Sequence, residues 1–146
     1  LIGKGTQCED LRRRVRDKGL GDAVTLLGIR ADVPELLSSG DVFVSASKRE
    51  GLPQAVLEAQ AAGLPVVASD IAPHREAVAP ELHSLLYPLG RAEAAAEHIA
   101  RLLNSAALRQ EAGAAARRFV VEKFGQQAGL TRLQDWHAAW LSSRAE

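Results

Sequence analysis

The sequence has a single cysteine, Cys8, so it cannot form an internal disulfide, and a cysteine-rich zinc site is excluded. It has no surplus of charge. Eighteen Lys and Arg balance 18 Asp and Glu, which leaves no net field to attract nucleic acid or an anionic membrane. No apolar run reaches the roughly 18 residues of a spanning helix, and no signal peptide opens the chain. These absences suit a cytoplasmic protein. There is no Asp-x-Asp pair to hold a divalent metal, and no repeat at solenoid spacing. Ser45 and Ser47 lie in a strand-end loop without a Gly-x-Ser-x-Gly elbow around them. His74, His83, His98 and His137 show no ligand spacing and no triad partners, which leaves them structural or solvated roles; only His74 falls near the cleft expected below.

What is present is the make-up of a soluble globular domain, 47% hydrophobic and 25% charged. At 146 residues it suits one domain with one core. Leu1-Ile2-Gly3 reads as a buried strand cut near its end, so we expect residues 1–146 to be the C-terminal part of a longer enzyme with its start truncated. Short apolar runs alternate with helical patterns, the mark of βα units on a mainly parallel sheet. Cys8, Leu11 and Val15 predict one buried helix stripe, while the cluster Arg12, Arg13, Arg14 and Arg16 lies mostly off it and reads as a solvated face. Strands are predicted over 23–27, 41–45, 64–69 and 84–87, with a helix over 52–62 and short helices after Asp32 and near 74–78. From Arg91 onward the pattern is helical only. Three packing stripes are expected there: Ala92, Ala95, Ala96, Ile99, Leu102 and Leu103; Leu108, Ala112, Ala115 and Phe119; and Leu133, Trp136 and Trp140. The fold class is therefore α/β, Rossmann-like, with helices on both faces of the sheet and a C-terminal helical extension.

The segment from Lys48 to Asp70 carries the chemistry. It runs strand, loop, helix, strand, with Glu50 in the loop and Glu58 in the helix. Loops after the carboxyl ends of parallel strands are where open α/β sheets bind ligands. Gly51 allows close backbone approach, and the helix start behind it offers unpaired N–H groups and a positive dipole end to an anion. Two carboxylates would repel a phosphate. They make sense as acceptors for the hydroxyl groups of sugars attached to it.

Glu50 and Glu58 are separated by seven residues, and the stretch resembles the E-x(7)-E signature of retaining glycosyltransferases of the GT-B fold (family 4, group 1 type). Gly3-Lys4-Gly5 is similar to that family's Gly-Asp-Gly turn, Gly28-Ile29-Arg30-Ala31-Asp32-Val33 to its Gly-x-Arg-x-Asp-Val stretch, and Ala61 to Asp70 to the strand after the signature helix. The resemblance implies one half of a GT-B enzyme, the nucleotide-sugar-binding domain. A UDP- or GDP-type sugar would be the donor, with no cofactor and no metal. The acceptor, a sugar or lipid-linked sugar, would be held through an N-terminal domain outside the chain, at the inner membrane face. It implies roles by position: Glu50 at the donor sugar and in catalysis, Glu58 on the ribose, Gly51, Leu52 and Gln54 at the diphosphate through backbone amides, and Gly28, Ile29 and Arg30 beside the base. Pro53 supplies no amide, and Lys4 replaces the usual acid of the first turn. The family's basic diphosphate-binding residues would precede Leu1.

Other readings stay open at this point. An epimerase or phosphorylase of the same architecture, or a non-catalytic binding module, would share the fold. A dehydrogenase domain would need Gly-x-Gly-x-x-Gly, which Gly3-Lys4-Gly5-Thr6-Gln7-Cys8 fails at the third glycine. Arg30 and Asp32 can be read as no more than a surface pair.

Overall fold

Helix-forming stretches placed between short apolar runs set the order of elements along the chain. The computed structural model describes residues 1–142. They fall into two compact units, Leu1–Glu35 and a larger one that begins at Leu36.

In the first unit, helix α1 spans Cys8–Asp17, with Glu9 and Asp10 in its first turn and Arg14 and Arg16 in its last, matching the helix dipole at both ends. The arginines are engaged along the exposed face: Arg12 with Glu9, and Arg13 and Arg14 with Asp10. The cluster is a solvated, salt-bridged helix face, as expected. Two expectations need correction. Residues 23–27 do not form a strand; next to them lies an isolated parallel bridge, Ile2 with Gly28, supported by bonds from the Leu1 amino group to the Thr25 carbonyl, from Leu27 N–H to the Leu1 carbonyl and from Gly3 N–H to the Gly28 carbonyl. The α1 stripe is not buried either, since Cys8 and Val15 are half-buried and Leu11 is 38% exposed. One extended pair is too narrow a surface to cover a ten-residue helix. Helix α2, Val33–Ser38, whose last three residues belong to the second unit, begins directly after Asp32 and takes Pro34 in its first turn, where the missing N–H is harmless.

The second unit holds the sheet. β1 (Phe43–Ser45), β2 (Val66–Ser69) and β3 (Leu86–Tyr87) lie in the order β1-β2-β3, both pairs parallel. Parallel neighbours need crossovers. Helix α3 (Gln54–Ala61) joins β1 to β2, and helix α4 (Ala72–Ala77) with a 3-10 helix (Pro80–Leu85) joins β2 to β3. The expected strand over 84–87 is thus shortened, because Ser84 and Leu85 complete the 3-10 turn. All four residues of β2 are buried, so both faces of the central strand are covered. Val67 and Tyr87 pack with Leu85, Ala95, Leu102 and Ala112 in the core. Val67 and Leu102 are fully buried, each contributing about 1.5–3 kcal/mol by transfer from water.

Three helices follow: α5 (Ala92–Leu103), α6 (Ala106–Phe124) and α7 (Gln126–Ser142). The first two expected stripes face the core in part, through Ala95 and Leu102 on α5 and Ala112 and Ala115 on α6; Leu103 is exposed. The third stripe is a correction. Leu133, Trp136 and Trp140 are 60%, 63% and 40% exposed. Helix α7 packs on α6, and Leu133 and Trp136 stay mostly exposed beside that contact. Lys123 on α6 donates to the Glu76 carbonyl at 2.9 Å, fastening the C-terminal turn of α4.

Candidate functional site

Because the strands are parallel, their last residues Ser45, Ser69 and Tyr87 lie at one edge of the sheet. That edge is where α/β sheets receive ligands. From Ser45 the chain passes through a polar loop to the start of α3. Beside it lies a cavity of about 380 Å³, lined by Glu50, Leu52, Pro53, Gln54 and Glu58 together with Ser45. The two glutamates singled out from the sequence therefore border the same space. Glu50 is half-buried and Glu58 exposed.

The start of α3 is left open. Its cap position is Pro53, and no side chain caps the end. Among the described residues, the Gly51, Leu52 and Ala55 N–H groups have no backbone acceptor, so amides and the positive end of the helix dipole face out together. Gln54 departs from the expectation. Its N–H donates to the Leu52 carbonyl at 2.8 Å, a tight turn that Pro53 imposes by fixing its own φ. To meet an anion that amide must give up its present bond. The helix also begins two residues later than expected, so Glu58 stands one turn in, about 6 Å along the axis from Gln54.

Behind the cavity lies a buried polar group that the sequence signalled only through the placing of His74. The imidazole is fully buried. Its Nδ1 lies 2.7 Å from the Ser69 carbonyl oxygen and 3.3 Å from Ser69 Oγ, and its Nε2 lies 3.5 Å from Ser45 Oγ. Ser69 Oγ donates to the Ser47 carbonyl at 2.5 Å, and the Tyr87 hydroxyl donates to the Ser45 carbonyl at 3.2 Å. Burial pushes the Tyr87 phenol pKa up. On the same helix as His74, Arg75 makes a two-pronged pair with Asp70; the hydrogen bond from Arg75 holds the Asp70 carboxyl below its ordinary range. His83 binds the Arg75 and Val78 carbonyls at 3.0 and 3.1 Å, closing the end of α4.

Gly28, Ile29 and Arg30 belong to the first unit. Gly28 has φ +69°, a left-handed conformation that favours glycine. It lines a cavity of about 340 Å³ with Gly3, Lys4 and Cys8, and Ile29 is 75% exposed. Arg30 and Asp32 form a two-pronged exposed pair, whose hydrogen bond raises the Arg30 pKa and lowers that of Asp32. Among the described residues no group of three or more His, Cys, Asp or Glu is placed to hold a metal, and no helix is long and apolar enough to cross a membrane.

A parallel sheet, an uncapped helix start and two carboxylates around one cavity define an α/β domain with an open cavity at its strand ends. The chain belongs to the group 1 glycosyl transferases, which it matches over residues 1–119. It is 43% identical over 72 residues to the UDP-Gal:alpha-D-GlcNAc-diphosphoundecaprenol alpha-1,3-galactosyltransferase of Escherichia coli, a match covering 49% of this chain and 19% of that protein. It is 31% identical over 143 residues to the amylovoran biosynthesis glycosyltransferase AmsK of Erwinia amylovora, covering 92% of this chain and 35% of that one. Among solved structures, a mutant of S. aureus TarM in complex with fondaparinux, alpha-GlcNAc-glycerol and UDP superposes with a TM-score of 0.84 at 26% identity, covering 92% of this chain and 27% of TarM. The α/β architecture expected from the sequence, one half of a GT-B fold, is the fold of the described residues. The chain spans well under half the length of these relatives, from 19% to 35% of the curated pair.

Proposed function

We propose that this chain is the nucleotide-sugar-binding domain of a retaining glycosyltransferase. It would hold a UDP- or GDP-type donor for transfer of its sugar to an acceptor hydroxyl in glycan or glycolipid synthesis. The observation that carries the reading is the shared cavity of Glu50 and Glu58 beside the uncapped start of α3.

The chemistry divides by charge. A diphosphate at the helix start meets free amides and a positive dipole end, which stabilise the negative charge that grows on the leaving group without a metal ion. The Gly51 and Leu52 amides are available at once, and the Gln54 amide on release from Leu52. Glu58, one turn further in, accepts from the ribose hydroxyls. Glu50 accepts from the sugar being transferred and is the catalytic candidate. Gly28, Ile29 and Arg30 are proposed to border the base. The UDP named with TarM and the UDP-Gal of the galactosyltransferase support a uridine donor. The diphosphoundecaprenol-linked acceptor in the latter's name supports a cytoplasmic enzyme that works at the inner membrane face. The acceptor would be held by a second domain.

A thermal-shift screen against UDP, GDP, ADP and CDP tests this reading. We expect a shift with UDP or GDP, corresponding to less than about 1.5 kcal/mol at tenfold excess over Kd. No shift with any nucleotide at several millimolar would count against the site.

A further inference from the structure

Every strand of the sheet ends on a hydroxyl, and one buried imidazole stands between two of them. His74 Nδ1 has only acceptors around it. A carbonyl oxygen, that of Ser69 at 2.7 Å, cannot donate, and the Ser69 hydroxyl has already given its hydrogen to the Ser47 carbonyl. Nδ1 must therefore carry the proton. No carboxylate pairs with the ring among the described residues, and an unpaired charge at a fully buried site is costly. The ring is thus the neutral Nδ1–H tautomer, and Nε2 is a bare lone pair.

That tautomer dictates what Ser45 offers. Ser45 Oγ lies 3.5 Å from Nε2 and 3.5 Å from the Ser47 hydroxyl, both acceptors for it, so its only hydrogen is engaged inside the fold. The Ser45 backbone is pinned by pairing with Ala68 and by the Tyr87 hydroxyl. What Ser45 presents to the cavity it lines with Glu50 and Glu58 is a lone pair. A lone pair repels a phosphate oxygen and accepts from a hydroxyl.

Resting on the reading of the cavity as a nucleotide-sugar site, we propose that Ser45 is a further contact residue there. It accepts a hydrogen bond from a hydroxyl of the donor, on its ribose or on its transferred sugar, and His74 is the residue that positions it. The alternative, Ser45 donating to the diphosphate, needs the opposite orientation of its hydrogen.

The test titrates the chain and its Ser45→Ala variant with UDP-glucose, UDP and inorganic diphosphate, followed by nitrogen–proton correlation spectra that also report folding. Loss of one neutral hydrogen bond should weaken UDP-glucose binding roughly three- to tenfold and leave diphosphate binding unchanged. An equal loss with UDP assigns the contact to the ribose, and no loss with UDP assigns it to the transferred sugar. The His74 ring should show a protonated Nδ1 and an unprotonated Nε2. UDP-glucose should move the Nε2 resonance in the wild type but not in Ser45→Ala. Weaker diphosphate binding by the variant, equal binding of every ligand by variant and wild type, or a proton on Nε2 would overturn the proposal. Failure of the wild type to bind any of the three would overturn the uridine-donor reading of the site as well.

Discussion

A Cβ on Gly113 would stand 2.1 Å from the carbonyl oxygen of Gly63, so α6 rests its backbone directly on the turn that ends α3. Gly63 itself holds φ +83°, which a side chain would strain. The contact seats the helix that carries Glu58. In an open helix Gly113→Ala would stabilise by up to about 1 kcal/mol through propensity. Here the added methyl meets backbone that cannot swing aside, and we expect a loss of about 1–3 kcal/mol by urea denaturation. A variant as stable as the wild type would mean that the two helices separate without cost.

The Asp70–Arg75 pair makes a pH-dependent contribution whose sign is determined by the lowered Asp70 pKa. The hydrogen bond from Arg75 is the main cause, with charge attraction adding to it and desolvation opposing. A carboxylate depressed in the folded state stabilises above its unfolded pKa of about 3.9 and loses that stabilisation as pH falls through the folded value. Asp70→Asn should therefore be less stable than wild type near neutral pH and should converge with it as pH falls below the lowered Asp70 pKa. The effect is small, because the pair is exposed to solvent. Parallel acid limbs for the two proteins would show that the pair contributes nothing.

On its own, the chain should bind nucleotide and transfer no sugar. It spans 19% to 35% of the curated relatives compared above, and the proposed acceptor site lies in a second domain. Turnover by the purified 146-residue chain, with any nucleotide sugar and acceptor, would overturn that division of labour.

The order of elements could be read from the sequence because each depends on local chemistry. Gly63 closes α3, the arginines of α1 find acids three and four residues away, and Val66 to Ser69 form a continuous run that suits a strand buried on both faces. Glu50 and Glu58 could be placed at one cavity because both flank the same helix start. What could not be read depends on partners far away in the chain. The strand expected over 23–27 failed for want of neighbours, and the Trp136 face remains uncovered. The turn that uses up the Gln54 amide was hidden because Pro53 acts through its φ as well as its missing N–H. His74 looked structural, and it is; its link to Ser45 joins residues 29 apart and has no sequence signature.

The most direct test is the affinity of Glu58→Ala and Glu50→Ala for bare UDP, the nucleotide that the names of the relatives favour. Glu58 is assigned to the ribose, which UDP contains, and Glu50 to the transferred sugar, which UDP lacks. Removing a charged acceptor from hydroxyl donors costs about 1.5–3 kcal/mol, so Glu58→Ala should weaken UDP binding by roughly tenfold or more. Glu50→Ala should leave it unchanged, or tighten it by removing a charge that repels the diphosphate. Weaker binding by Glu50→Ala alone would reverse the two assignments. No change in either variant would contradict the account of the site.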